Sequence, residues 1–305
     1  MFFVHKSINP IKLNGKLLAK QLEEKIIAQV LQLNNKTGRN PKLAMFLIGN
    51  DPASLTYTAM NQKLCQKVGF DFELFHFKNE EKTSAEEIIA KIKACNEKVS
   101  INGILVQNKV PKHIEIRQLF EAIKPEKDID GVTTSSFGKL AMGEKSFVPA
   151  TALAVMQLLN HYNIQIEEKH VVIVGRSPIL GKPLQALFLN ANATVTICHS
   201  KTQNLPEHIK QADIIVGALG KPKLINGNWI KDNAVVVDAG YHPELKVGDI
   251  ELESIIERCY AYTPVPGGVG PMTNICLLKQ TLDSYERQLE LENSLSQNTY
   301  KSFLR

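Results

Sequence analysis

His170-Val171-Val172-Ile173-Val174-Gly175-Arg176-Ser177-Pro178-Ile179-Leu180-Gly181-Lys182-Pro183 opens on a run of β-branched residues and stops at a glycine. A short apolar run ended by a turn former reads as a buried strand, and the stretch from Gly181 reads as a helix. Gly175 allows a tight turn out of the strand. Gly181 opens a helix whose free N–H groups and positive dipole end can face a pyrophosphate. The spacing is not the strict G-x-G-x-x-G, so the turn alone is a weak signal. The next strand, Thr194 to Ile197, runs into Cys198-His199-Ser200-Lys201-Thr202. It brings no Asp or Glu to the place where an NAD enzyme holds the ribose 2′-hydroxyl. Hydroxyl and basic groups there suit a 2′-phosphate, with Arg176 supplying a planar donor fork and Ser200 a hydroxyl, which favours NADP over NAD.

Outward from this turn the same alternation continues. Strand-like runs at Asp213 to Val216, Ala234 to Asp238 and Ala261-Tyr262 complete one α/β domain. Upstream, a long amphipathic helix from Leu13 to Leu33 precedes strands at Leu43 to Ile48, Phe70 to Phe77 and Gly103 to Val106. Helices at about Ser54 to Val68, Ala85 to Cys95 and Ile114 to Ile123 lie between and after them. Strands alternating with helices of this length argue for mostly parallel sheets, so the chain reads as α/β in two domains. Apolar periodicity lapses from Gly131 to Phe147, which places the junction there, and a helix resumes around Thr151 to Leu159. A last helix from Thr273 to about Leu291 leads into a polar tail, Glu292 to Arg305, whose composition predicts a frayed end.

The chain has 305 residues, 44% hydrophobic and 22% charged, which is the balance of a folded globular protein of about two domains. Thirty-six Lys and Arg against 31 Asp and Glu leave a formal charge of +5, with no basic run dense enough to track a phosphate backbone. Nucleic acid is therefore not an expected partner. Five cysteines without metal spacing predict neither a disulfide framework nor a zinc site, and a reducing cytoplasm fits them. No apolar stretch reaches membrane-spanning length, and Met1-Phe2-Phe3-Val4-His5-Lys6 has no export pattern.

Thr263-Pro264-Val265-Pro266-Gly267-Gly268-Val269-Gly270-Pro271-Met272-Thr273 is a rigid loop in which prolines fix φ and glycines permit close backbone approach. Taken with Gly103-Ile104-Leu105-Val106-Gln107, Lys127-Asp128-Ile129-Asp130-Gly131, Gly175-Arg176-Ser177 and Cys198 to Thr202, it resembles the methylenetetrahydrofolate dehydrogenase/cyclohydrolase family. The resemblance is collinear from about Leu13 to Leu282. It implies a folate-binding catalytic domain, residues 1–148 plus the returning helix 273–305, and a Rossmann-like NADP-binding domain, residues 149–272, around a cleft that holds folate. It also implies a homodimer acting on tetrahydrofolate derivatives in one-carbon metabolism. By the resemblance Tyr57 stacks on folate, Gln107 joins the catalytic hydrogen-bond network and Asp130 anchors the pterin. Pro266, Gly267 and Gly268 lie against the substrate; Gly175, Arg176, Ser177, Gly181 and Ser200 take NADP, with Tyr241 beside the nicotinamide.

The chain departs from that pattern on the folate side. The family carries a catalytic lysine four residues after the tyrosine, and Asn61 stands there instead. Lys63, six residues on from Tyr57, points about 240° away around a helix and is a poor substitute. Val132-Thr133-Thr134 and Ser136, Ala150, Ala152 and Ala154, and Lys109 are further departures. Hydride transfer needs two oriented rings and no obligatory side-chain base. Hydrolysis of the methenyl carbon needs a proton carrier, and an amide cannot titrate. The expectation is an NADP-dependent dehydrogenase with weakened or lost cyclohydrolase activity. A fully bifunctional enzyme and a non-catalytic folate- or nucleotide-binding paralogue remain as alternatives.

Overall fold

The computed structural model describes residues 9–303, with side chains to 294. The opening residues on which the export expectation rests lie outside the described residues, as do Leu304 and Arg305. In chain order the elements begin β1 (Ile11–Lys12), α1 (Gly15–Thr37), β2 (Lys42–Ile48), α2 (Pro52–Val68), β3 (Asp71–Phe77), α3 (Ala85–Glu97), β4 (Gly103–Val106) and α4 (Ile116–Glu121). Then come α5 (Thr134–Ala141), α6 (Ala150–His161), β5 (His170–Val174), α7 (Gly181–Asn190), β6 (Thr194–Cys198), α8 (Leu205–Lys210) and β7 (Ile214–Gly217). The series closes with β8 (Val235–Asp238), α9 (Leu252–Ile255), β9 (Ala261–Tyr262) and α10 (Val269–Phe303). Among the described residues no helix is long and apolar enough to cross a membrane.

The chain forms two compact units. One comprises Leu22–Gly138, Ser146–Val148 and Leu277 onward, and holds a three-stranded parallel sheet in the order β3-β2-β4. Central β2 is buried from Leu43 to Ile48, which is why it reads as a continuous apolar run rather than an alternation. α2 begins where Asp51 accepts the Ser54 N–H at 2.9 Å and Pro52 occupies the first turn, and it ends at Gly69. Cap and stop together set the register of the helix that carries Tyr57 and Asn61.

The other unit comprises the described residues up to Gln21, Lys139–Lys145 and Pro149–Cys276. Its six-stranded sheet runs β1-β9-β8-β7-β5-β6, with every pairing parallel. β5 is an interior strand between β7 and β6 and is buried from Val171 to Val174, with Val172 and Val174 in one core cluster with Ile215 of β7 and Val236 of β8. The described residues up to Gln21 fall with this unit because β1 pairs with β9, Ile11 opposite Ala261. A two-residue strand carries no periodicity that a sequence pattern can show.

Two segments differ from the sequence reading. The stretch expected to be an irregular junction contains α5, whose start is made by polar groups rather than an apolar stripe. The Ser136 N–H donates to Thr133 Oγ1 at 3.1 Å, and the Thr133 N–H to buried Asp128 at 2.9 Å. The tail expected to fray from Glu292 is helical to Phe303. Buried Leu278, Leu282 and Tyr285 anchor α10, and extending an existing helix through Glu, Gln and Leu is favourable. The same helix starts at Val269 rather than Thr273, so Gly270 and Pro271 lie in its first turn.

Candidate active site

In the three-stranded unit, α2 buries Ser54, Thr58, Asn61, Cys65 and Val68 at alternating spacings of four and three, one helical face. Tyr57 stands beside that face and is half-buried. The Thr58 hydroxyl donates to Ser54 O at 2.8 Å and accepts from Gln107 Nε2 at 3.2 Å. Gln107 directly follows β4, and its backbone N–H donates to Phe46 O at 3.0 Å, which holds it in the sheet frame. Asn61 is 0% exposed; its Nδ2 donates to Tyr57 O at 2.9 Å. Its Oδ1 is the one buried side-chain nitrogen or oxygen without a hydrogen-bond partner among the described residues. A buried acceptor that no protein group satisfies can take its hydrogen bond from a ligand or an ordered water.

Burial pushes the Tyr57 phenol well above its ordinary value; the charge of Asp130 adds to the rise and the Asn61 side chain opposes it. The phenol is therefore a donor throughout the neutral range. Tyr57 and Asn61 lie one turn apart on α2, Asp130 is near enough for its charge to act on the phenol, and Gln107 joins through Thr58. Lys63 is exposed. Asp130 is half-buried, whereas Asp128 is fully buried and accepts from the N–H groups of Val132 (3.0 Å) and Thr133 (2.9 Å) and the Ser136 hydroxyl (2.6 Å). Burial raises the Asp128 carboxyl, against the pull of those donors. Lys127 Nζ donates to Cys95 O (3.0 Å) and Lys98 O (2.7 Å) at the end of α3, and burial lowers it. Lys109 pairs with Asp51 at 2.5 Å.

Thr58 and Asp128 were missed by sequence reasoning. The signal for Asp128 is the pair of hydroxyl residues five and eight positions downstream, which can bond a carboxylate locally. It also accounts for two departures: Thr133 and Ser136 are buried on Asp128.

In the six-stranded unit, Gly175 follows β5 with φ of 142°, and a Cβ there would lie 2.1 Å from Ala218 O. A Cβ on Gly181 would lie 2.1 Å from Gly175 O, so strand end and helix start approach to backbone distance. The sheet register pairs Val174 with Cys198, which puts Arg176 and Ser200 each two residues beyond the matched ends of adjacent strands. Arg176 and Ser200 are exposed and Ser177 is half-buried. Tyr241, three residues past β8, is 55% exposed. The Pro264 to Gly268 segment backs onto the start of α1, where the Lys16 N–H donates to Gly267 O at 3.0 Å. Gly267 has φ of 109°.

Residues 13–130 match the family described as tetrahydrofolate dehydrogenase/cyclohydrolase, catalytic domain, and residues 149–289 its NAD(P)-binding domain. The bifunctional protein FolD of Cellvibrio japonicus is 52% identical over 92% of this chain and 100% of its own length. The crystal structure of the bifunctional enzyme FolD, methylenetetrahydrofolate dehydrogenase/cyclohydrolase, from Campylobacter jejuni is similar with a TM-score of 0.87. It is 37% identical and covers 90% of this chain and 98% of that one. The Trypanosoma brucei methylenetetrahydrofolate dehydrogenase-cyclohydrolase (FolD), complexed with NADP cofactor and inhibitor, has a TM-score of 0.87. It shares 33% identity over 92% of this chain and 98% of that one. Matched in both of its units, the chain belongs to the tetrahydrofolate dehydrogenase/cyclohydrolase family.

Proposed function

We propose that the chain oxidises 5,10-methylenetetrahydrofolate to 5,10-methenyltetrahydrofolate with NADP, and that its hydrolysis of the product to 10-formyltetrahydrofolate is weakened. The observation that carries this reading is Asn61, fully buried, its amide committed to Tyr57 O and its oxygen without a donor. A lysine there would be a tunable proton carrier, and an amide can only orient a water. Loss of general acid–base help is worth about 10²- to 10⁴-fold, which is the deficit expected in hydrolysis.

The nucleotide turn fits the cofactor. Any side chain at Gly175 or Gly181 would fill the close approach of strand and helix, and no carboxylate follows β6 to repel a 2′-phosphate. Bound at that turn, NADP supplies the hydride acceptor. Arg176 and Ser200 hold the 2′-phosphate, with Gly175, Ser177 and Gly181 at the pyrophosphate and Tyr241 at the nicotinamide. On the substrate, Tyr57 offers a ring face and a protonated phenol, Asp130 an acceptor for the pterin, and Gln107 an amide fixed by Thr58. Pro266, Gly267 and Gly268 present backbone to the folate. The five free, buried cysteines suit a reducing compartment such as the cytoplasm, and homodimerisation accompanies family membership.

The test follows NADPH and the methenyl product as separate signals during turnover of methylenetetrahydrofolate. Formation of NADPH with methenyl decaying only at its uncatalysed rate supports the reading. A second reading, full bifunctionality, is favoured by the 52% identity to a relative called bifunctional. It predicts methenyl consumption well above background, and the absence of any NADPH would overturn both.

A further inference from the structure

At the carboxyl ends of β7 and β8 two buried aspartates interlock. Asp249, 0% exposed, accepts from the N–H groups of Leu219 (2.7 Å) and Gly220 (2.9 Å) through Oδ2. Its Oδ1 accepts from His242 Nε2 at 2.9 Å. Asp238 in turn accepts from the N–H groups of Gly240 (3.0 Å), Asp249 (3.0 Å) and Ile250 (2.9 Å). The Asp238 N–H donates to Thr263 Oγ1 at 2.7 Å, at the start of the Pro/Gly loop. A tight turn, closed by the His242 N–H to Val247 O at 2.8 Å, returns the chain to Asp249. The approach is so close that a Cβ on Gly240 would lie 2.3 Å from the Asp249 carboxyl carbon.

Packing two carboxylates together is costly. Burial pushes Asp238 up to about 6, opposed by its backbone donors, with the charge of Asp249 adding to the rise. In an open α/β sheet the carboxyl ends of the strands are where a ligand binds. The sheet order shows what these ends face. β6 carries the 2′-phosphate groups and β5 the pyrophosphate turn, so a dinucleotide laid across the carboxyl ends continues over β7 and β8. Adjacent strands are about 4.8 Å apart, which puts the second nucleoside at the Leu219–Gly220 and Gly240–His242 turns.

We propose that Asp249 and His242 are positioning residues for the nicotinamide half of the cofactor. Asp249 ties the turn after β7 to the turn after β8, and the His242 contact fixes the segment from which exposed Tyr241 projects. Neither residue needs to touch the reacting atoms. This inference rests on the proposed NADP-dependent reading, and the test separates the two.

Binding of NADP and of adenosine 2′,5′-bisphosphate, which lacks the nicotinamide half, is measured for the full chain and for His242→Ala and His242→Gln, together with kcat. His242→Ala is expected to weaken NADP about tenfold, the value of one hydrogen bond to a charged group, and to lower kcat. The bisphosphate should bind within about twofold of the unaltered chain, since its contacts lie at β5 and β6. His242→Gln, which keeps a donor, should recover most of the loss. Equal weakening of both ligands, no weakening of either, or failure of glutamine to rescue overturns the proposal. Binding of neither ligand by the unaltered chain overturns the cofactor reading beneath it.

Discussion

Asn61 reverses the polarity of its site. A lysine offers three donors and a charge, whereas Asn61 has two donors, one of them given to Tyr57 O, and leaves an acceptor facing the interior. Asn61→Lys is therefore expected to raise the hydrolysis rate by about 10²- to 10⁴-fold while changing NADPH formation far less, measured on the separate signals. An unchanged hydrolysis rate would favour the bifunctional reading. Asn61→Ala removes the water-orienting oxygen and should cut whatever hydrolysis remains. Tyr57 makes a second expectation at this scale. Its phenol is held above the ordinary value, so it stays protonated in the folded chain while the unfolded chain ionises above pH 10. The folded state then binds more protons, and stability falls as pH rises past 10. Tyr57→Phe should flatten that alkaline loss in denaturant titrations, and the rate of NADPH formation should show no limb from Tyr57 below pH 10.

The elements depend on polar anchors as much as on apolar faces. Asp128 serves two backbone N–H groups and a hydroxyl, so Asp128→Ala strands three buried donors. At about 1–3 kcal/mol for each unsatisfied group, a loss of at least about 3 kcal/mol is expected from denaturant midpoints at unchanged m. Ser136→Ala removes one donor and should cost about 1 kcal/mol. At the β5–α7 turn, Arg176→Ala is expected to raise KM for NADP about ten- to hundredfold with kcat and the NAD constants little changed, because a phosphate contact is uniform binding. α2, β2 and β5 were legible in the chain because their apolar runs and bounding Asp51, Gly69 and Gly175 are local signals. α5 was not, because a helix started by Thr133 and Ser136 on the Asp128 carboxylate carries no apolar stripe and looks like a loop when read for periodicity.

For the whole molecule, cofactor binding adds to stability by mass action. NADP at a hundred times its dissociation constant should stabilise the chain by about 2.7 kcal/mol, read as a rise in Tm, and NAD at the same concentration by less. Equal rises would overturn the 2′-phosphate assignment to Arg176 and Ser200. The sequence by itself determined the α/β class, the family and the chemical identity of the departures, since runs, turns and motifs are written in neighbouring residues. It also located the substitution at Asn61, which needs only a count of four along a helix. Only the tertiary structure decided that Asn61 is fully buried with no protein donor to its oxygen, that Asp128 rather than Asp130 is the fully buried anchor, and that His242 meets Asp249. Burial of this kind is set by which segments pack over a site, even where the hydrogen-bond partners lie within eight residues, as for Asp128 and for His242 with Asp249. Periodicity names the face that turns inward, but what covers that face is decided only in the folded chain.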